Sequence, residues 1–122
     1  MNLRYALTSF LMFPLCAFAS ICGIYEVHGY DPQDNHEYAG SVSITKDDEV
    51  YSVIWTFENN NTDTGTGVRK GDTLSIVFLE DNSTSYGTQL YKVYGSTLSG
   101  PWVRFGGTEE GSETLKRIHC SD

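Results

Sequence analysis

The sequence predicts an all-β domain, an antiparallel up-and-down β-barrel of about eight strands. Three observations carry this expectation. Beyond residue 19, apolar and polar side chains alternate at a period of two, and no stretch shows helical periodicity. The alternating runs are short and mostly separated by two to five turn-forming residues, a spacing that joins antiparallel neighbours. Cysteines stand at both ends of this region, Cys22 and Cys120, which favours a fold whose first and last strands meet. A β-sandwich is the alternative, because the long polar link ENNNTDTGTG, through Asn59–Asn61, could cross between two sheets.

The elements follow in order. Residues 1–19 read as a signal peptide: Arg4 gives a positive start, an apolar stretch follows, and Ala17-Phe18-Ala19 forms an A-x-A cleavage site. The apolar stretch is shorter than the ~20 residues a membrane span needs, and Pro14 disfavours a spanning helix. Residues 20–122 then form a single barrel domain with no membrane insertion after cleavage. The first strand is expected over Gly23–Gly29 and the second over Glu37–Thr45, with Tyr38, Gly40, Val42 and Ile44 sharing a face. Lys46–Glu49 turns into a third strand, Val50–Phe57, which aligns Tyr51, Val53, Trp55 and Phe57. A short fourth strand, Gly67–Lys70, leads through Gly71-Asp72 into a fifth, Thr73–Leu79. The sixth is Tyr86–Tyr94, the seventh Thr97–Phe105, with Leu98, Gly100 and Trp102 together, and the eighth runs roughly over Gly111–His119. Gly40, Gly87 and Gly100 lie inside strands, where glycine marks a bend or a close approach.

Once Cys16 leaves with the signal, Cys22 and Cys120 are the two remaining cysteines, and an even count in an exported protein reads as a disulfide. Closing a loop of about 100 residues is worth up to roughly 4.7 kcal/mol in the chain-entropy account.

The formal net charge is −8, falling to −9 without Arg4. Such a chain does not suit nucleic acid or anionic lipid, both of which need basic patches. The acids cluster in Asp47-Asp48-Glu49, Glu80-Asp81 and Glu109-Glu110, all in expected turns, which suits solvation and leaves the first two clusters as candidate loops for a basic partner.

Tyr25, Tyr51, Trp55, Tyr91 and Trp102 form the candidate interior cluster, with Glu113 pointing inward among them. An eight-stranded barrel has room for side chains or one small ligand. The rings are expected to fill most of that space, and any cavity would lie near one mouth, where Trp55 or Trp102 meets the loops. A buried Glu113 needs donors, which Tyr25, Tyr51, an indole N–H or Arg104 could supply. Asp31, Asp34, His36 and Glu37 crowd one segment, DPQDNHE, but its Pro32 and Asn35 read as a turn, and no metal or other cofactor is expected. His28, His36 and His119 form no HExxH pairing and no G-x-S-x-G is present, so no catalytic residue is assigned and the chain does not read as an enzyme.

The stretch GIYEVHGYDPQDNHEYAGSVSI resembles the opening of a family of small secreted bacterial proteins, G-x-Y-x-V-x-G-x-x-P followed by Y-x-G-x-V-x-I. VYSVIW, GTGV with LSIVF, YGTQLYKV, LSGPW and GTEEGSETL are similar to its later elements in the same order. The acidic position of the last element aligns on Glu109 or Glu113, with Glu113-Thr114-Leu115 better placed before the chain end. Members are often labelled "fibronectin-binding protein". The resemblance implies a secreted or periplasmic β-barrel-like domain without known catalytic residues. The functional expectation is an exported, non-enzymatic binding module whose partner is a host extracellular-matrix protein or a small apolar ligand. The alternative is a periplasmic inhibitor of a basic hydrolase such as lysozyme, acting through Asp47–Glu49 or Glu80-Asp81.

Overall fold

A computed structural model describes residues 20–121 apart from Asn82; the expected signal peptide lies outside the described residues. Eight strands follow one another: β1 (Gly23–Asp31), β2 (His36–Asp47), β3 (Val50–Phe57), β4 (Thr62–Lys70), β5 (Thr73–Leu79), β6 (Tyr86–Tyr94), β7 (Thr97–Arg104) and β8 (Gly111–Cys120). Each pairs antiparallel with the next, and β8 returns to β1, so the sheet closes into a barrel. The sandwich alternative is thereby excluded. Closure leaves no edge strand open to another chain.

Up-and-down order sends the connections alternately to two ends. At one end the turns are two residues long, 48–49, 71–72 and 95–96, and the first residue of each, Asp48, Gly71 or Gly95, has a positive φ. At the other end the connections are longer: 32–35, 58–61, 80–85 and 105–110. The barrel therefore has a tightly turned end and a loop-bearing end.

Period-two alternation sends one face of each strand inward. On β3, Tyr51, Val53 and Trp55 are buried while Val50, Ser52, Ile54 and Thr56 are exposed. Val42, Ile44, Val53, Leu74, Ile76, Tyr91, Leu98 and Leu115 join Tyr25 and Val27 in one continuous core. The tightly turned end is plugged by the chain entering β1. Ile21 is buried there, its carbonyl accepts the Tyr25 hydroxyl at 2.6 Å, and Arg117 Nη1 donates to the Ser20 carbonyl at 2.8 Å.

Three expectations are corrected here. Strand β4 begins at Thr62, not at Gly67, so half of the expected polar loop is sheet. Its inward positions include Gly65 and Gly67 rather than apolar residues, which hid the alternation; a Cβ on Gly65 would stand 2.9 Å from the Trp55 ring. Asp47 lies within β2, leaving Asp48 and Glu49 as the turn. Third, the chain ends do lie side by side, but Cys22 is a free thiol while Cys120 is disulfide-bonded, so the expected Cys22–Cys120 link is not formed. Register explains this: Cys120 stands opposite Gly23, not Cys22, after a shift between Ile24 and Tyr25. Residues directly opposite share a face and neighbours along a strand do not, so the two side chains leave opposite faces of the sheet.

The glycines expected at close approaches are there. A Cβ would come within 2.3 Å of the Thr56 carbonyl at Gly40, 2.1 Å of the Val103 carbonyl at Gly87 and 1.9 Å of the Leu90 carbonyl at Gly100. Beside Gly100, Pro101 has no N–H for the β6–β7 ladder. Buried Gln89 makes up the deficit: its Nε2 donates to the carbonyls of Leu90 at 3.0 Å and of Gly100 and Pro101 at 3.2 Å.

Candidate functional site

The loop-bearing end opens into a cavity of about 250 Å³. Its side walls are aromatic. Phe57 meets Tyr38 edge-on with centroids 5.4 Å apart, Tyr38 meets Trp102 at 6.4 Å, Trp102 meets Phe78 at 6.0 Å and Phe78 meets Trp55 at 6.2 Å. Rings from β2, β3, β5 and β7 thus form a girdle around the mouth, each contact edge-to-face as ring quadrupoles prefer. Small residues opposite make room for it. A Cβ on Gly29 would lie 2.2 Å from the Tyr38 ring, and one on Gly111 would lie 2.2 Å from the Trp102 indole.

Glu113 forms the floor. It is 5% exposed, and its carboxylate accepts three hydrogen bonds: Tyr38 Oη at 2.6 Å, Trp55 Nε1 at 2.8 Å and the Tyr91 hydroxyl. All three donors are neutral. Burial pushes the Glu113 carboxyl up, and the hydrogen bonds from Tyr38, Tyr91 and Trp55 only partly offset that rise. The same burial, with the carboxylate beside them, raises the Tyr38 and Tyr91 phenols, which therefore stay protonated as donors. The Trp102 Nε1 is buried without a hydrogen-bond partner among the described residues.

Charge gathers at the rim. Arg104, at the end of β7, donates through Nη1 and Nη2 to the two oxygens of Asp31 at 3.1 and 2.9 Å, through Nε to Glu80 at 2.5 Å, and to Gln33 at 2.9 Å. Its guanidinium lies 5.0 Å above the Trp102 ring. Burial pushes the Asp31 carboxyl up, but the Arg104 hydrogen bonds, the Gln33 amide and the Arg104 charge outweigh it and hold the group below its usual range. Asp63 Oδ1 accepts the Asp81 amide at 2.9 Å, and Asp81 Oδ2 accepts the Thr62 amide at 3.0 Å. Burial and the charges of Glu80 and Asp81 raise Asp63, despite its hydrogen bond from the Asp81 amide.

The expected cluster divides between two levels. Trp55, Trp102 and Glu113 line the mouth, with Tyr91 directly beneath, bonded to Glu113. Tyr25 and Tyr51 belong to the opposite end: Tyr25 bonds to Ile21, and Tyr51 lies beneath the Lys46 ammonium at 5.5 Å. Neither donates to Glu113, and Arg104 does not either, because it is occupied by Asp31 and Glu80. Glu113, not Glu109, is the buried acid of the final element; Glu109 and Glu110 are exposed. Glu80 and Asp81 are not a freely solvated loop but part of the rim, and Asp47, Asp48 and Glu49 lie at the far end. One partner surface cannot engage both clusters at once. Asp31, Asp34 and His36 do bring ligand atoms within 4.8 Å of one another. Asp31, however, already has both oxygens on Arg104 and one also on the Gln33 amide, at 3.0 Å.

Tyr38, Phe57, Phe78, Gln89 and Asp63 are site residues that sequence reasoning did not single out. Tyr38 was legible as sharing a face with Val42 and Ile44, but its convergence with Phe78 on Trp102 needs the register of strands distant in sequence.

No protein-family model matches the sequence, and no curated protein is similar to it. Among solved structures the chain is similar to a redesigned β-barrel, with a TM-score of 0.71 and 15% identity over 87% of this chain and 99% of that one. It is also similar to a de novo designed fluorescence-activating β-barrel, with a TM-score of 0.61 and 15% identity over 86% of this chain and 100% of that one. These likenesses bear on the fold alone, the closed antiparallel barrel described above.

Proposed function

We propose that this protein is an exported, non-enzymatic binding module that takes a small, largely apolar ligand into the loop-bearing mouth of the barrel. The observation that carries the reading is the asymmetry of the interior. Towards the tightly turned end the interior is packed side chain, whereas the mouth is a cavity of about 250 Å³ between Tyr38, Trp55, Phe78 and Trp102. Concave, aromatic-lined sites with a few fixed polar groups suit small molecules. The girdle is held by edge-to-face contacts and Glu113 by three donors, so binding orders little that is not already ordered.

The A-x-A-terminated leader and the resemblance to secreted bacterial proteins support export. We read Glu113 as a structural anchor rather than a catalytic group: its carboxylate is held by three neutral donors on three strands.

Both tryptophans of the chain, Trp55 and Trp102, line the cavity, so intrinsic emission reports on it directly. Titration with a neutral apolar dye such as N-phenyl-1-naphthylamine is expected to give saturable quenching of tryptophan emission with matching dye enhancement. A linear, unsaturable response would count against the reading.

A further inference from the structure

The charge of the mouth narrows the ligand class, and this step rests on the binding reading above. Five carboxylates line the cavity, those of Asp31, Asp63, Glu80, Asp81 and Glu113, against one arginine and the exposed His36. Arg104 is committed to Asp31 and Glu80. Asp63, Asp81 and Glu113 form no ion pair among the described residues: their hydrogen bonds come from backbone amides, phenols and an indole, and the Arg104 charge felt by Asp63 is outweighed by those of Glu80 and Asp81. The same space is walled by the faces and edges of Trp55, Phe78 and Trp102. Aromatic faces attract cations through the ring quadrupole, and Arg104 already lies in that way over Trp102. Unbalanced carboxylates in a recess with low-dielectric walls focus a negative potential into it.

We propose that the mouth selects a small organic cation, a compact alkylammonium group seated among the rings with Asp63 and Asp81 facing it from the rim and Glu113 from the floor. An anionic ligand of the same size is disfavoured by the same carboxylates. A neutral one gains only the apolar contact.

The test uses two soluble probes of nearly identical shape, choline and its neutral isostere 3,3-dimethylbutan-1-ol, titrated into the protein while tryptophan emission is followed. The expected result is binding of choline at least about tenfold tighter than the isostere. Asp63→Asn keeps the oxygen that accepts the Asp81 amide and is expected to erase most of that preference, read as the ratio of choline to isostere affinity. Asp81→Asn serves as a second variant and should act the same way. Equal affinity for the two probes, or a preference that survives both substitutions, overturns the cation selectivity while leaving the pocket standing. Failure of both probes together with the neutral dye overturns the pocket itself.

Discussion

Glu113 is bound by three neutral donors from β2, β3 and β6, so its removal orphans groups on three strands at once. A buried donor left without an acceptor costs about 1–3 kcal/mol. Glu113→Ala is therefore expected to lower unfolding stability by about 3 kcal/mol or more. Glu113→Gln keeps a carbonyl for Trp55 and Tyr91 and should cost only about 1 kcal/mol; urea denaturation of both variants gives the comparison. The two buried acids respond oppositely to pH. Asp31 is held below its usual value of ~3.9, so the stability it adds is complete above that pH and disappears as pH falls through its depressed folded value. Glu113 is raised, so its contribution is complete below the usual carboxylate range and declines as pH rises through the raised value. Melting from pH 7 down to pH 2 should show Asp31→Asn losing less stability in acid than wild type. A slope identical to wild type would mean that the Asp31–Arg104 bridge contributes nothing to the acid limb.

At the level of elements, rings and glycines are paired across strands. Gly111 stands opposite Trp102, Gly29 opposite Tyr38 and Gly87 opposite Phe78. Gly111→Ala would force a methyl into the indole, so Trp102 must move. The expected cost is about 1–3 kcal/mol, as for other overpacked sites, with a shift in tryptophan emission and weakened dye binding. Unchanged emission would show that the indole does not rest on that glycine. This pairing also marks where the sequence was readable. Strands β3, β5 and β6 were legible to the residue, because apolar residues alternate along them, Gln89 of β6 excepted, and their ends are bounded by turn residues. The start of β4, residues 62–66, was not, since its inward positions are Asp63 and Gly65, which packs against Trp55, and a glycine beneath a ring looks like a loop when the ring lies on another strand. Glu113 was legible as an inward acid. Its donors were not, because Tyr38 is 75 residues away and only the closed register brings it there.

The whole molecule follows from closure. Contact between β1 and β8 was readable in the position of the two cysteines, yet the reason offered for it was wrong: the backbone ladder makes the seam, and the register turns Cys22 away from Cys120. Closure also gives the barrel two unlike ends. The plugged end, with Ile21, Arg117 and the short turns, is the structural base, and the loop-bearing end holds the cavity. Acidic groups occur at both ends, so overall charge alone could not reveal which end carries the cavity. The central claim is that binding belongs to the loop-bearing mouth. Heteronuclear NMR of the labelled protein during titration with the neutral dye tests it most directly. Binding at the mouth should shift the Trp55 and Trp102 indole N–H signals and the Asp63 and Gln89 amides, with Ile21, Asp48 and Gly71 unmoved. Shifts concentrated at the Asp48, Gly71 and Gly95 turns, with both indole signals unchanged, would contradict it.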